Sequence, residues 1–388
     1  MKLRLSDIYE LQMGKTPARN MPEFWNGTNA WVSISDLTQN SKYISQTKEC
    51  ITDEAVSRTN IKKVPKDTLL MSFKLSLGKV AITATDIYTN EAIMAFIDKK
   101  VHDVDIHFMY HYFQAIDWTI GTNKAVKGIT LNKSSLSEKV IELPPIQIQR
   151  KIAEHLDKLS AVEENIQCQL SLFDKLVKSQ FVEMFGDPVT NPMGWEIFPL
   201  KELTSKIGSG ATPKGGNASY KEQGISLIRS MNVYNGYFDY EGLAHIDEKQ
   251  ASLLDNVILE SNDVLLNITG ASVARCCIVP NDILPARVNQ HVCILRCDQA
   301  QIIPMFLNAV FISEQYQAKL WNIAEAGATR QALSKEKIEV LPIIKPPLTL
   351  QNEFAALVEQ ADKSEFLLRQ LLEKQQTLKK ALMQEYFS

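Results

Sequence analysis

The chain has 388 residues, a formal net charge of −3 and an apolar share of 45%, a length that suggests two or three domains with real cores. No run of 18 apolar residues exists, so nothing reads as a membrane span. Lys2, Arg4, Asp7 and Glu10 leave no apolar stretch for a signal peptide near the N-terminus, and six cysteines without a disulfide-like pattern fit a reducing, cytoplasmic setting.

In chain order, the first informative stretch is ELQMGKTPAR, residues 10–19. Gly14-Lys15-Thr16 imitates the end of a phosphate-binding loop. A true P-loop needs a glycine five residues before the Gly-Lys pair, because successive N–H groups must wrap the phosphates. That position is Tyr9, and Pro17 follows where a helix should open. The same motif returns as Gly210, Thr212 and Pro213, with Ala211 in place of Lys15. A catalytic lysine is not dropped from one copy, so the motif reads as a repeated structural turn. In that reading Gly14 and Gly210 supply backbone freedom, and Pro17 and Pro213 fix the way out.

The repetition extends along the chain. At a shift of 196, WVSISDL (31–37) lies over LIRSMNV (227–233) and DTLLMSF (67–73) over DVLLNIT (263–269). With small gaps, GKVAI (78–82) meets ASVAR (271–275) and TNEAI (89–93) meets VNQHV (288–292). At a shift of 202, LNKSSLSEKVIELPPI (131–146) meets LSKEKIEVLPIIKPPL (333–348), and Gln149 coincides with Gln351. The chain is two copies of a unit of about 190–200 residues, too long a period for a solenoid.

Each copy starts with a mixed α+β segment. AWVSIS, KVAITATDIY, SLIRSMNVY, NVILE and HVCILRC read as strands between Gly, Asn, Asp and Pro turns. IHFMYHYFQAI (106–116) and PMFLNAVFISEQYQAKLW (304–321) read as helices. Cys276, Cys277, Cys293 and Cys297, with His291 nearby, offer zinc-type ligands. Cys293, Leu295 and Cys297 alternate as one buried strand face does, and buried thiol is the reading adopted.

Each copy ends in a long helix started by Pro144-Pro145 or Pro346-Pro347. The first continues without Pro or Gly to Gly186. Ile152, Leu156, Leu159, Ile166, Leu170 and Val177 form a heptad stripe, and Phe354, Val358, Leu368, Leu372 and Leu378 form a looser one. Pairing the two stripes in an antiparallel coiled coil is the cheapest way to bury both. The expected layout is therefore 1–145, first globular domain; 146–187, central helix; 188–347, second domain; 348–388, C-terminal helix.

No catalytic constellation emerges. Methylation of adenine would need an Asn/Asp-Pro-Pro-aromatic loop, but the Pro-Pro pairs here read ELPPI and IKPPL. HExxH and GxSxG are absent from the sequence. Side chains suited to base edges or phosphates are more plentiful. They are Lys15, Arg19, Lys74, Lys79, Lys124 and Lys127 in the first copy, and Lys214, Arg229, Arg275, Asn289, Gln290, Arg330 and Gln331 in the second. For each alone a solvated charge is the plainer reading, and Asn90 and Asn289 suit turns as well as ligands. The four segments carry +2, −2, −2 and −1, so any DNA contact needs locally placed cations or those of a partner.

Two variable α+β copies, each closed by LPP(I/L)xxQ and a long helix, resemble the specificity subunit of type I restriction-modification systems. GKTP…WVSISDL…SFKLSLGKVAI…TNEAI is similar to one version of its target-recognition domain, and GSGATP…LIRSMNV…LLNITGASV…VNQHV to another. QIQRKIAEHLDKL and LQNEFAALVEQAD resemble its two helical regions. The resemblance implies a non-catalytic protein. Each domain reads half of a split, asymmetric double-stranded DNA site, while the helices act as a ruler and dock two methyltransferase subunits. It places S-adenosylmethionine, ATP and Mg in partner subunits, translocating nuclease subunits among them, and no cofactor or metal in this chain. The alternatives are a coiled-coil scaffold whose globular units bind protein, and a stand-alone nucleotide- or S-adenosylmethionine-dependent enzyme.

Overall fold

The computed structural model describes residues 1–388 except 39–41, 75, 119–123, 126–127, 130, 214, 326–330 and 388. Two units are present, Met1–Ile166 with Gln370–Ser388, and Gln167–Arg369. Among the described residues no helix is long and apolar enough to cross a membrane.

In unit 1 the strands β1 (Tyr9–Met13), β2 (Tyr43–Ile44), β3 (Leu69–Ser72), β4 (Val80–Thr83) and β5 (Ile93–Asp98) form a sheet of order β1-β5-β3-β4-β2. Both faces are covered. Leu69, Met71 and Phe96 point into one core, while Leu70, Ala81 and Ala95 point into another. This is why DTLLMSF and KVAIT show unbroken apolar runs where a half-solvated strand would alternate. Helix α1 (Ile106–Ala115) packs on the first face, started by Asp105, whose carboxylate accepts from the N–H groups of His107 and Phe108. A second sheet joins Glu49–Ile51, Trp25–Val32 and Tyr88–Thr89, with Trp31 and Val32 running parallel to Tyr88 and Thr89. Residues 146–166 of helix α2 (Ile146–Phe185) complete the unit's core together with residues 370–387.

Unit 2 repeats the plan. β6 (Thr204–Ser209), β7 (Val264–Asn267), β8 (Cys276–Ile278) and β9 (Val292–Cys297) take the order β6-β9-β7-β8, the counterpart of β1-β5-β3-β4. Ala244–Ile246, Ile225–Ile228 and Ala286–Val288 form the small sheet, again with one parallel pair. In β9, Cys293, Leu295 and Cys297 join one core while Val292 and Ile294 join the other. The expected alternation is present, and the opposite face is buried too. Helices α3 (Pro304–Ile312), α4 (Glu314–Glu325) and α5 (Leu348–Phe387) follow.

Several sequence expectations fail locally; SLIRSMNVY, for one, leaves the strand after Ile228 for a 3-10 turn over Ser230–Asn232. NVILE forms a 3-10 turn over Asp255–Val257 followed by a single bridge from Ile258 to Arg287, because Val257 and Leu259 reach the core without extending a ladder. The span 304–321 is two helices. Ser313 sits at φ −63°, ψ 143°, and its hydroxyl donates to the Val310 carbonyl, which ends α3.

The long helices behave as their sequences demand. Gly186, at φ +75°, closes α2 with its N–H bonded to the Val182 carbonyl at 2.9 Å. In unit 1, Ile152, Leu156 and Ile166 are buried and Leu159 is partly buried. Leu382, Met383, Tyr386 and Phe387 of α5 pack on the same core, with Phe387 5.4 Å from Phe108. His155 meets Tyr386 at 3.4 Å and Glu163 meets Lys379 at 2.7 Å, so the paired segments run antiparallel. In unit 2, Phe354 contacts Phe181 and Phe185 at 5.6 and 5.5 Å, with Val358 buried and Val177 half-buried. Leu170, Leu368 and Leu372 are half-buried. Leu378 departs from expectation at 48% exposure, because the stripe follows the polar heptad positions Gln375 and Lys379. Those two are satisfied by the Leu159 carbonyl and Glu163.

Candidate nucleic-acid interface

The repeated Gly-x-Thr-Pro stretch follows β1 in unit 1 and β6 in unit 2. It lies against the turn that precedes β5 or β9. Gly14 and Gly210 do not sit at positive φ, which corrects the expected role of backbone freedom. Their constraint is space. A Cβ on Gly14 would stand 2.2 Å from the Thr89 carbonyl oxygen, and one on Gly210 1.8 Å from that of Val288. The Lys15 N–H donates to Thr89 O at 2.8 Å, and the Gly210 N–H to Asn289 O at 3.1 Å. These N–H groups are consumed by protein carbonyls, so the stretch cannot cradle a phosphate.

The facing turn is built identically in both units. Asn90 Oδ1 accepts from the Ala92 N–H at 3.0 Å, and Asn289 Oδ1 from the His291 N–H at 2.9 Å. Both asparagines therefore work as turn formers. The next residue is exposed in each case. Thr16 bonds Glu91, and Thr212 bonds Gln290. In unit 2 a polar row continues from Gln290 to His291 (3.1 Å) and from His291 Nδ1 to Thr269 (2.6 Å). The Gln331 carbonyl accepts from the Gly270 N–H at 3.0 Å, and the Gln331 amide donates to Glu325. Asn289, Gln290 and Gln331 thus gather around one loop cluster of unit 2.

The basic candidates are held in different ways. Arg19 lies 3.9 Å over Trp25 and 5.2 Å over Trp31 and pairs with Glu49. That bond holds the guanidinium pKa above its ordinary value and the Glu49 carboxyl below. Lys15 Nζ donates to the Thr59 carbonyl at 2.6 Å. Lys74 Nζ sits 5.2 Å over Phe73, and the Lys79 N–H donates to the Ser72 hydroxyl. Arg229 lies 5.2 Å over Tyr220 and donates to the Gly242 carbonyl. Arg275 lies 4.3 Å over Tyr234, which stacks on Tyr237 at 5.0 Å. Lys124 falls in the short strand Lys124–Ala125, while Lys127, Lys214 and Arg330 lie outside the described residues.

The aromatic supports Trp25, Trp31, Tyr220 and Tyr234 escaped sequence reading. Their signal was an aromatic near each cation, which only the fold brings within reach. Arg287 and Arg296, by contrast, are structural. Arg296 makes bonds of 2.8 Å to both carboxylate oxygens of the fully buried Asp263, and Arg287 holds Asp255 at 3.0 Å. Burial pushes the thiols of Cys277, Cys293 and Cys297 up to about 12, which disfavours the thiolate a zinc ligand requires. Among the described residues no group of His, Cys, Asp or Glu could hold a metal ion.

An α+β unit built twice, each copy closed by a long helix and carrying different polar side chains on one repeated frame, defines the architecture of the chain. The chain belongs to the family described as type I restriction modification DNA specificity domain, whose model matches residues 1–171 and again 192–378. The type I restriction enzyme MjaIX specificity subunit of Methanocaldococcus jannaschii is 25% identical over 377 residues, covering 92% of this chain and 85% of the relative. The MjaVIII specificity subunit of the same organism is 22% identical over 397 residues, covering 98% and 89%. The fold is shared with the type I restriction-modification S subunit from M. genitalium, at a TM-score of 0.62 and 14% identity over 100% of this chain and 96% of that one. It is also shared with a chain from a structural study of assembly and conformational transition in the type I system, at a TM-score of 0.61 and 15% identity, covering 100% and 97%. The protein is a specificity subunit of a type I restriction-modification system, a non-catalytic component.

Proposed function

We propose that each unit reads one half of a bipartite, asymmetric DNA site and that the helical segments dock two methyltransferase subunits. The observation that carries this reading is the frame built twice with different polar ends. Thr16 holds a carboxylate, Glu91, where Thr212 holds a carboxamide, Gln290. A carboxylate only accepts, whereas an amide both donates and accepts, so two such surfaces favour different base edges. Lys15 and Arg19 supply phosphate-type contacts to unit 1, and Arg229 and Arg275 to unit 2. Exposed apolar side chains on α5, among them Phe366, Leu367 and Leu371, support docking of a partner. S-adenosylmethionine, ATP and Mg then belong to the partner subunits, in the cytoplasm, and the partners supply the cationic surface that a chain of net charge −3 lacks.

The test is to replace residues 1–145 by a second copy of 188–347 in the assembled methyltransferase and map methylated sites by sequencing. The expected product is an inverted repeat of one half-site. Retention of an asymmetric site would overturn the assignment of readout to the two units.

A further inference from the structure

One corner of the fold is finished differently in the two units. Gln149 Oε1 accepts from the Asp105 N–H and Gln351 Oε1 from the Ile303 N–H, so α1 aligns with α3 and α2 with α5. His111 then corresponds to Ala309, Tyr110 to Asn308, Ser160 to Asp362 and Glu163 to Glu365.

In unit 1 this corner is closed by charge. His111 Nε2 stands 2.7 Å from Asp157, Lys42 pairs with the same carboxylate, and Lys379 closes on Glu163 at 2.7 Å. In unit 2 the partner groups are missing. Ala309 replaces the imidazole, and Val177 stands where the aligned helices put Lys379. Glu365 turns to Arg369 of its own helix.

The result is a groove of about 740 Å³ inside unit 2, with Val177, Met305, Ala309, Phe354 and Val358 among its lining residues. Asp174, Lys178, Asp362, the Glu365–Arg369 pair and the 57% exposed Tyr237 also line it, so acidic groups outnumber basic ones by one. Among the described residues no ion pair reaches Asp174 or Asp362. Partial desolvation, then Glu365 and Glu359, raise the Asp362 pKa. Asn308, only 7% exposed, lines the same groove with its Oδ1 buried and without a hydrogen-bond partner. Such an acceptor costs free energy until a donor reaches it.

We propose that this groove receives a short segment of the methyltransferase subunit docked on unit 2, presenting a large apolar side chain flanked by Lys or Arg. The proposal rests on the docking reading above. The apolar anchor fills the space over Ala309 and Phe354, a cation meets Asp362, and an N–H donates to Asn308 Oδ1. An apolar side chain seated in a pocket with aromatic walls is the usual form of an interface hot spot. In unit 1 the His111–Asp157 and Glu163–Lys379 pairs fill the aligned corner, so the two docking events are inequivalent.

The experiment titrates the full chain with the purified methyltransferase subunit of its own system and reads both stepwise Kd values by native mass spectrometry. Asp362→Lys and Ala309→Trp should each weaken one step by about tenfold or more, as expected for loss of one anchor. The other step should stay within about twofold. Asn308→Leu should weaken the same step while raising the melting temperature of the free chain, since it removes an unpaired buried acceptor. A purely structural role for Asn308 would not separate those two readouts. Ser160→Lys, at the aligned site of unit 1, should leave both steps unchanged. Two unaltered Kd values in Asp362→Lys and Ala309→Trp overturn the groove proposal while leaving docking intact. If the wild-type chain binds no methyltransferase subunit at all, the docking reading fails and the groove proposal falls with it.

Discussion

Gln149 and Gln351 perform the same task at equivalent places. Gln149 accepts from the Asp105 N–H and donates to the carbonyls of Asp103 and Pro144; Gln351 accepts from the Ile303 N–H and donates to those of Gln301 and Pro346. Both are at most 1% exposed. Each amide ties the first turn of a long helix to the start of the short helix beside it, meeting orphan backbone groups on both sides.

The tie gives a stability prediction. Gln149→Ala and Gln351→Ala each strand buried backbone donors and acceptors, at a cost of about 2–4 kcal/mol. Denaturant unfolding should show the loss. Gln149→Glu should be no better above the carboxyl pKa, because a carboxylate cannot donate to Asp103 O and Pro144 O. A Gln149→Ala chain of unchanged stability would show that the amide is not the anchor.

Gly14 and Gly210 give a second prediction. Alanine at either forces a Cβ into a carbonyl oxygen, at 2.2 Å in unit 1 and 1.8 Å in unit 2. Gly14→Ala should impair recognition of one half-site and Gly210→Ala of the other, each without changing the bases read by the untouched unit. Methylation mapping with two half-site reporter sets checks this. Equal loss at both half-sites from either variant would mean general unfolding instead of local damage.

Much of this was legible in the sequence because duplication leaves marks that survive divergence. The paired Gly-x-Thr-Pro motifs, the LPP(I/L)xxQ closures and the two apolar stripes all fall on elements that recur in both units. What could not be read was contact between distant segments. Nothing around Arg19 says that Trp25 and Trp31 stack on it, nor does Arg296 announce Asp263. The role of the two glycines is hidden from sequence for a related reason. Their φ values are ordinary, and the constraint comes from a strand end far away in sequence. The apolar stripe puts Leu378 at the seam, but the geometry has Lys379 there, paired with Glu163 at 2.7 Å.

Gly78 and Ala274 occupy equivalent turns, at φ +79° and +71°. The Gly78 N–H bonds Ser72 O at 3.0 Å and the Ala274 N–H bonds Asn267 O at 2.8 Å, which moves the counterpart of Gly78 from Ala271, where the sequence match puts it, to Ala274. Only the second carries a Cβ, and it is fully buried. Left-handed backbone costs a non-glycine residue about 1–2 kcal/mol. Ala274→Gly should therefore stabilise unit 2 by up to about 1 kcal/mol after loss of one buried methyl. Gly78→Ala should destabilise unit 1, with the added Cβ 3.2 Å from Trp118 Cδ1. Thermal melts of the two variants should move in opposite directions. A fall in melting temperature for Ala274→Gly would show that the methyl packs better than the backbone is strained.

The last prediction concerns pH and the Lys42–Asp157–His111 cluster. His111 is buried, and in the Nε2–H tautomer it donates to Asp157 at 2.7 Å while Nδ1 stays buried without a partner. Burial is the largest influence on His111 and lowers its pKa; the bond and charge of Asp157 oppose this, and Lys42 and Lys379 add to it. For Asp157 burial raises the pKa, but the bonds from His111 and Lys42, with their charges, outweigh it and hold the carboxyl at about 2. Both groups have folded values below their unfolded ones. The stability each contributes is present above the unfolded pKa and lost as pH falls through the folded one. For His111 the loss begins below its ordinary 6.5, and for Asp157 it runs from its ordinary 3.8 down to about 2. The wild-type melting temperature should therefore start to fall below about pH 6.5. His111→Gln should remove that upper part and delay the fall to the carboxyl range near pH 4. Asp157→Asn should lower stability at neutral pH, leaving Lys42 without its carboxylate, and should flatten the lower part of the curve. An unchanged pH profile in His111→Gln would show that the imidazole is not the group responsible.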